Sequence, residues 1–168
     1  VRITKKLAAS VLKVVDAGLV SGVGVPEPGR MCVEAAVCYA LGEPHGDRPT
    51  CVGPAVRAFK IRLNDASWSS GAARTRGLRA IAIAQLGSDT IDQSEFARRV
   101  TLAVIRETLP PMLRRRTLDK EADACAAATT LEEGKAAAAA AAAAYATAAA
   151  DGYAAAAAAA AAAGYAYA

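Results

Sequence analysis

The sequence predicts an all-α protein: a small helical domain of about five helices followed by an alanine-rich tail that is helical or partly disordered. Three observations point there. Apolar residues recur at helical spacing in the front of the chain, as with Leu7, Val11, Val14 and Val15 at i, i+4, i+7 and i+8. β-Branched residues nowhere alternate with polar ones over a useful length, so no strand is expected. Alanine, the residue of highest helix propensity, occupies 25 of the 33 positions from 136 to 168.

Residues 4–19 form the first amphipathic helix, with Lys5, Lys6, Lys13 and Asp16 off its apolar stripe. The glycines of residues 18–24 end it, and Pro26 and Pro28 keep the next stretch out of a helix. A short helix is expected over residues 31–41, stopped by Gly42. After a Gly- and Pro-rich loop, residues 55–63 read as a basic helix burying Val56, Phe59 and Leu63. The serines of residues 67–70 cap a helix that runs to about Leu86 before Gly87. Asp92 and Glu95 form a capping box, and Ile91 and Phe96 a hydrophobic staple, for a helix that buries Phe96, Val100, Ala103 and Val104 and ends at Pro110-Pro111. Residues 112–130 predict one more helix, basic at Arg114, Arg115 and Arg116 and then acidic. In the tail, two helical runs hinged at Asp151-Gly152 are expected, with tyrosines too scattered for one stripe.

This pattern divides the chain into a basic helical domain (1–118), an acidic helical connector (119–135) and a low-complexity tail (136–168). Residues 1–118 hold 18 Lys/Arg against 10 Asp/Glu, while residues 119–168 hold 2 against 6. A basic front attracts an anionic partner such as nucleic acid. The start of the chain lacks the apolar block of a signal peptide, and four irregularly spaced cysteines do not make a disulfide framework, so a cytoplasmic location is expected. The tail is long enough for a bilayer, but alanine is weakly apolar and Asp151-Gly152 interrupts it, so no membrane span is expected.

Alanine methyl groups offer no donor, acceptor or ligand, so chemistry belongs to residues 1–135. The densest reactive stretch is residues 32–51, which holds the only histidine. A zinc site there would use Glu34, Cys38, His45 and Cys51. Cys32 and Cys38 do not share it, since six residues along a helix separate them by roughly 9 Å and about 120°. A cysteine nucleophile would be Cys32 at a helix start, with His45 as base and Asp47 as its orienter. Separately buried thiols and a surface histidine are the simpler alternative, and no cofactor is expected. Gly22 and Gly24 lack the lysine and hydroxyl spacing of a phosphate loop.

Anion binding rests on three consecutive basic sets: Arg57, Lys60 and Arg62; Arg74, Arg76 and Arg79; and Arg98, Arg99 and Arg106. Short helices joined by tight turns are compatible with a helix-turn-helix arrangement, although few Asn or Gln are placed to read adenine. Thr147 stands alone within the alanine run, which argues against an antifreeze helix, and the run has too few blocks for silk.

Residues 26–42, which include Met31-Cys32-Val33-Glu34-Ala35-Ala36-Val37-Cys38, together with Pro44-His45-Gly46-Asp47 and residues 82–88, resemble a group of uncharacterised bacterial or phage-associated proteins with Ala- and Tyr-rich C-termini. The resemblance spans roughly the whole chain and implies no activity and no site residues.

The expected function is a non-enzymatic binding or assembly module for an anionic or protein partner. The tail would be a spacer or a self-association element, with homo-oligomers formed through it. A Cys/His-dependent enzyme or zinc protein built on residues 32–51 is the alternative.

Overall fold

The computed structural model describes residues 1–165, and their side chains as far as residue 150. It is helical throughout, and the only β-type pairing among the described residues is an isolated antiparallel bridge between Gly24 and Met31. The chain divides into two compact units, Val1–Ala97 and Arg98–Ala168. The division expected after residue 118 therefore falls earlier, and residues 98–118 belong with the connector and the alanine helix.

In the first unit, α1 (Lys5–Asp16) starts where Thr4 Oγ1 accepts a hydrogen bond from the Leu7 amide. It buries Val11, Val14 and Val15, the face its sequence spacing predicts. The Pro/Gly loop that follows folds back on itself, with the Val25 amide donating to Arg30 O and the Cys32 amide to Val23 O. Gly24 makes this hairpin feasible: its φ is +72°, and a Cβ there would lie 2.1 Å from the Arg30 carbonyl oxygen.

The loop delivers α2 (Val33–Leu41), capped by Cys32 and closed by Gly42 in the left-handed conformation. Every residue from 31 to 38 is buried. A helix buried on all sides has to be enclosed by its neighbours, and α2 packs against α1, α3 (Pro54–Asp65) and α4 (Gly71–Ala84).

The buried face of α3 differs from the expected one. Val56, Lys60 and Asn64 are buried at i, i+4 and i+8, while Phe59 and Leu63 are only half-buried. Two polar residues lie on the inward stripe because α2 and the preceding loop present partners for them. Ser70 Oγ caps α4 through the Ala73 amide, as the serine cluster predicts. Gly77, a weak helix former, has a packing reason: a Cβ there would sit 2.4 Å from two carbons of the Trp68 ring. That ring is fixed by Nε1 donating to Leu63 O at 2.9 Å.

The chain passes into the second unit within α5 (Gln93–Ala103), which starts where Asp92 Oδ1 accepts from the amides of Ser94 and Glu95. None of its residues is fully buried, and Ile105 rather than Ala103 or Val104 turns inward. Pro110-Pro111 does not end the helical path. A π-helical segment (Val104–Thr108) leads into α6 (Leu109–Arg114), with the prolines in its first turn. There the missing amides cost little, and the wider turn, with the Leu109 amide reaching back to Val104 O, absorbs the mismatch.

The helix expected over residues 112–130 is broken at Thr117, whose φ is +58°, and resumes as α7 (Asp119–Ala127). Then α8 (Leu131–Tyr165) starts on a reciprocal cap: Glu133 accepts from the Thr129 and Thr130 amides, and the Glu133 amide donates to Thr130 Oγ1. Its backbone runs without a hinge through Asp151-Gly152, since one glycine costs about 1 kcal/mol in a helix and alanines on both sides favour continuation. Ala141 is buried with Ile105, Leu113, Ala122 and Cys125, and Ala137 and Ala138 pack against them. The first turns of the alanine run are thus core of this unit and not an appendage. No helix among the described residues is long and apolar enough to cross a membrane.

Candidate functional site

Glu34, in the first turn of α2, and Lys60, in the middle of α3, are both completely buried, with Nζ 3.1 Å from Oε1. Nζ and Oε1 partner each other as an ion pair, and the other carboxylate oxygen, Oε2, is buried without a hydrogen-bond donor among the described residues. Burial pushes the Glu34 carboxyl up from its ordinary value, against the attraction of Lys60 and Arg57. Burial likewise pushes the Lys60 ammonium down, against the attraction of Glu34.

A cavity of about 60 Å³ lies against this pair, lined by Cys32, Glu34, Asp47, Ile61, Asn64 and Asp65 with the loop at Gly22 and Val23. Asn64 commits both Nδ2 hydrogens, to Val20 O and Asp65 Oδ1, and its Oδ1 accepts from the Val33 amide. Asp65 Oδ1 also accepts from the Gly22 amide at 2.8 Å and from the Ser21 hydroxyl, and these bonds hold its carboxyl below the usual range. Three of the lining side chains, Glu34, Asp47 and Asp65, are carboxylates, and Arg48 Nε lies 3.8 Å from that of Asp47.

The structure brings Cys32 and Asp47 to this recess and leaves His45 out of its lining. His45 is exposed, with Nε2 3.1 Å from Gly24 O, where it donates to the carbonyl. Cys32 does begin a helix, and its Sγ accepts from the Ala35 amide at 3.3 Å. Burial outweighs the helix-end amides, however, and pushes the thiol up. The same cause raises Cys51 and carries Cys38 up to about 12. Thiols held protonated are poor nucleophiles. Glu34, Cys38, His45 and Cys51 do not assemble: among the described residues no three His, Cys, Asp or Glu side chains are grouped to hold a metal ion.

The basic sets separate as well. Lys60 is interior and faces Glu34, so it is not part of an anion-binding surface. Arg57 is half-buried with a covered Nε. Arg74 Nε donates to Asn64 O, and Arg79 makes a two-pronged contact with Asp16 at 2.7 and 3.0 Å. Arg62 and Arg76 are exposed, Arg76 on a groove it shares with Arg79 and Asp16. In the second unit Arg98, Arg99 and Arg106 converge on one open groove of about 400 Å³, where Glu107 is the one carboxylate among the lining residues.

Asn64 and Asp65 were not legible as site residues, and Lys60 was legible only as one of a basic set. Their signal was there: polar side chains at Lys60 and Asn64 continue the helical stripe begun by Val56. No family model, curated protein or solved structure matches the chain. Fold and geometry define an all-α protein of two units, the first with a small acidic recess and the second with an open arginine groove.

Proposed function

We propose that the protein is a non-enzymatic binding module that recognises an anionic partner, nucleic acid or an acidic protein surface, through the second unit. The observation that carries this reading is the convergence of Arg98, Arg99 and Arg106 on one open groove. All three line that groove, and the planar forks of guanidinium groups suit phosphate and carboxylate oxygens. An open groove rather than an enclosed pocket fits a macromolecular chain better than a small metabolite.

The alanine-rich helix beyond its packed turns serves in this reading as a spacer or self-association element. Met112 and Tyr145 are exposed beside an apolar groove there, and the Arg116 guanidinium lies 5.4 Å from the centre of the Tyr145 ring. Four buried free thiols suit a reducing compartment, and we place the protein in the cytoplasm.

The test is binding of fluorescent single- and double-stranded oligonucleotides and of a poly-glutamate peptide at low salt, by anisotropy. Saturable binding of one of these, abolished by Arg98→Glu/Arg106→Glu, is expected. Absence of any binding at low salt would reject the reading.

A further inference from the structure

We propose that Thr129 is a phosphorylation site, and that its phosphate occupies the arginine groove in cis and shuts out the anionic partner. The inference rests on the reading of that groove as the anion-binding surface. Thr129 is exposed and lines the groove together with Arg98, Arg99 and Arg106, and it is the one hydroxyl among the lining residues. A phosphate esterified to it is therefore delivered into the groove by the fold itself.

The local bonding lets this hydroxyl be modified without loss of the helix it precedes. Glu133 Oε2 accepts from the Thr129 amide at 2.8 Å, from the Thr129 hydroxyl at 2.8 Å and from the Thr130 amide at 3.1 Å. Esterification removes only the hydroxyl bond. The added charge repels the exposed Glu133 carboxylate, and phosphate oxygens take its place on the two amides. Thr130 has a different task, because its Oγ1 accepts from the Glu133 amide at 3.2 Å and caps α8. It is absent from the groove lining. Of the two adjacent threonines, one holds the helix start and the other faces the arginines.

Charge sets the direction of the effect. Phosphothreonine carries about −1.5 to −2 charge at pH 7 and three strong acceptor oxygens, which guanidinium forks meet with charge-assisted bonds. The charged groups facing it are Arg98 and Arg99 of α5, Arg106 and Glu107 of the π-helical segment, and Glu133 of α8. Covalent attachment gives the phosphate an effective concentration on the order of millimolar, so it competes with a separate partner present at micromolar level. Glu132 and Glu133 follow Thr129 closely and offer an acidic flank to a kinase with a basic substrate surface. An ATP-dependent serine/threonine kinase supplies the phosphoryl group. Thr129 Oγ1 forms a bond to the γ-phosphorus as the bond to the β,γ-bridging oxygen breaks; ADP leaves, and the hydroxyl proton passes to the kinase's base.

The experiment incubates the full chain and its Thr129→Val variant with ATP and an acid-directed serine/threonine kinase, and maps phosphate by mass spectrometry. Phosphate on Thr129, lost in Thr129→Val, is expected; no phosphate, or phosphate confined to other residues, would overturn the proposal. The phosphoprotein is then followed by phosphorus NMR against pH, in the parent and in Arg98→Ala/Arg106→Ala. The second phosphate pKa, ordinarily about 6, should lie lower in the parent and return toward that value in the variant. Equal values in the two would put the phosphate outside the groove and overturn the proposal. Blocking one charge-assisted contact weakens binding by about tenfold, so the phosphoprotein should bind a fluorescent duplex at low salt at least about tenfold more weakly than the unmodified chain. Unchanged affinity would likewise overturn it. Should the unmodified chain bind no anionic probe, the anion-binding reading fails by itself, and the phosphorus titration still decides whether the groove holds the Thr129 phosphate.

Discussion

The two units bury different things and therefore display different chemistry. The first encloses α2 among three helices and fills its interior with Val, Met and Leu side chains, along with Glu34 and Lys60. The second packs α8 through Ala137, Ala138 and Ala141 against Ile105, Leu113 and Cys125, and among the described residues it buries no charged side chain. An alanine helix approaches its neighbours closely but has no polar group to aim inward, so this unit's charges stay at the surface, where Arg98, Arg99 and Arg106 share a groove. Enclosure permits an inward-facing acidic recess, whereas close packing of small side chains leaves only an outward-facing basic one.

The largest expected effect probes the buried pair. Lys60→Met or Glu34→Leu alone strands a charge in the interior and should cost about 3–5 kcal/mol, while the double variant should return to within about 1–2 kcal/mol of the parent. Urea unfolding of the four proteins checks this. Additive losses would mean that the two side chains do not depend on each other.

A pair of glycine substitutions sharpens the comparison. Both Gly77 and Gly134 lie inside helices, so alanine gains about 1 kcal/mol of propensity at each. At Gly77 the new methyl would lie 2.4 Å from the Trp68 ring, whereas at Gly134 its nearest neighbour is the flexible end of Leu102 at 3.2 Å. Gly77→Ala should lower stability by about 1–3 kcal/mol, and Gly134→Ala should change it by less than about 1 kcal/mol. Thermal unfolding decides, and equal effects would remove the distinction between the two cores.

The smallest effect is on pH. The carboxyls of Asp65 in the first unit and Glu133 in the second are held below their ordinary values by hydrogen bonds to backbone amides. A depressed carboxyl contributes stability above its unfolded pKa, near 4, and that contribution is lost as pH falls through the lower folded value. Asp65→Asn and Glu133→Gln should each flatten the acid limb of the stability profile. Unchanged profiles would mean these bonds do not persist in solution.

Much of the fold was written in local signals. The Ser70 and Asp92 caps, the stop at Gly42 and the α1 stripe lie where their residues predict. What escaped were features decided across elements. Lys60 reads as one of a basic set until Glu34 on another helix explains its burial, and Pro110-Pro111 reads as a stop until a π segment carries the chain past it. The alanine run reads as an appendage because each methyl buries little area, yet neighbouring Ile105 and Leu113 make it part of a core. In the candidate sites, Cys32 and Asp47 were legible by residue type, and the Arg98, Arg99 and Arg106 set by charge. The recess itself depends on Asn64 and Asp65 turning the loop at Ser21 and Gly22 inward, a contact over more than forty residues that no local pattern reports.

The groove is tested most directly by the salt dependence of anionic-probe binding, compared between the parent and Arg98→Ala/Arg99→Ala/Arg106→Ala. Each neutralised phosphate contributes about −0.9 to the slope of log affinity against log salt on duplex DNA, so the triple variant's slope should be shallower by about 2.7. A parent and variant with the same slope and the same affinity would contradict the assignment of this groove as the anion-binding surface.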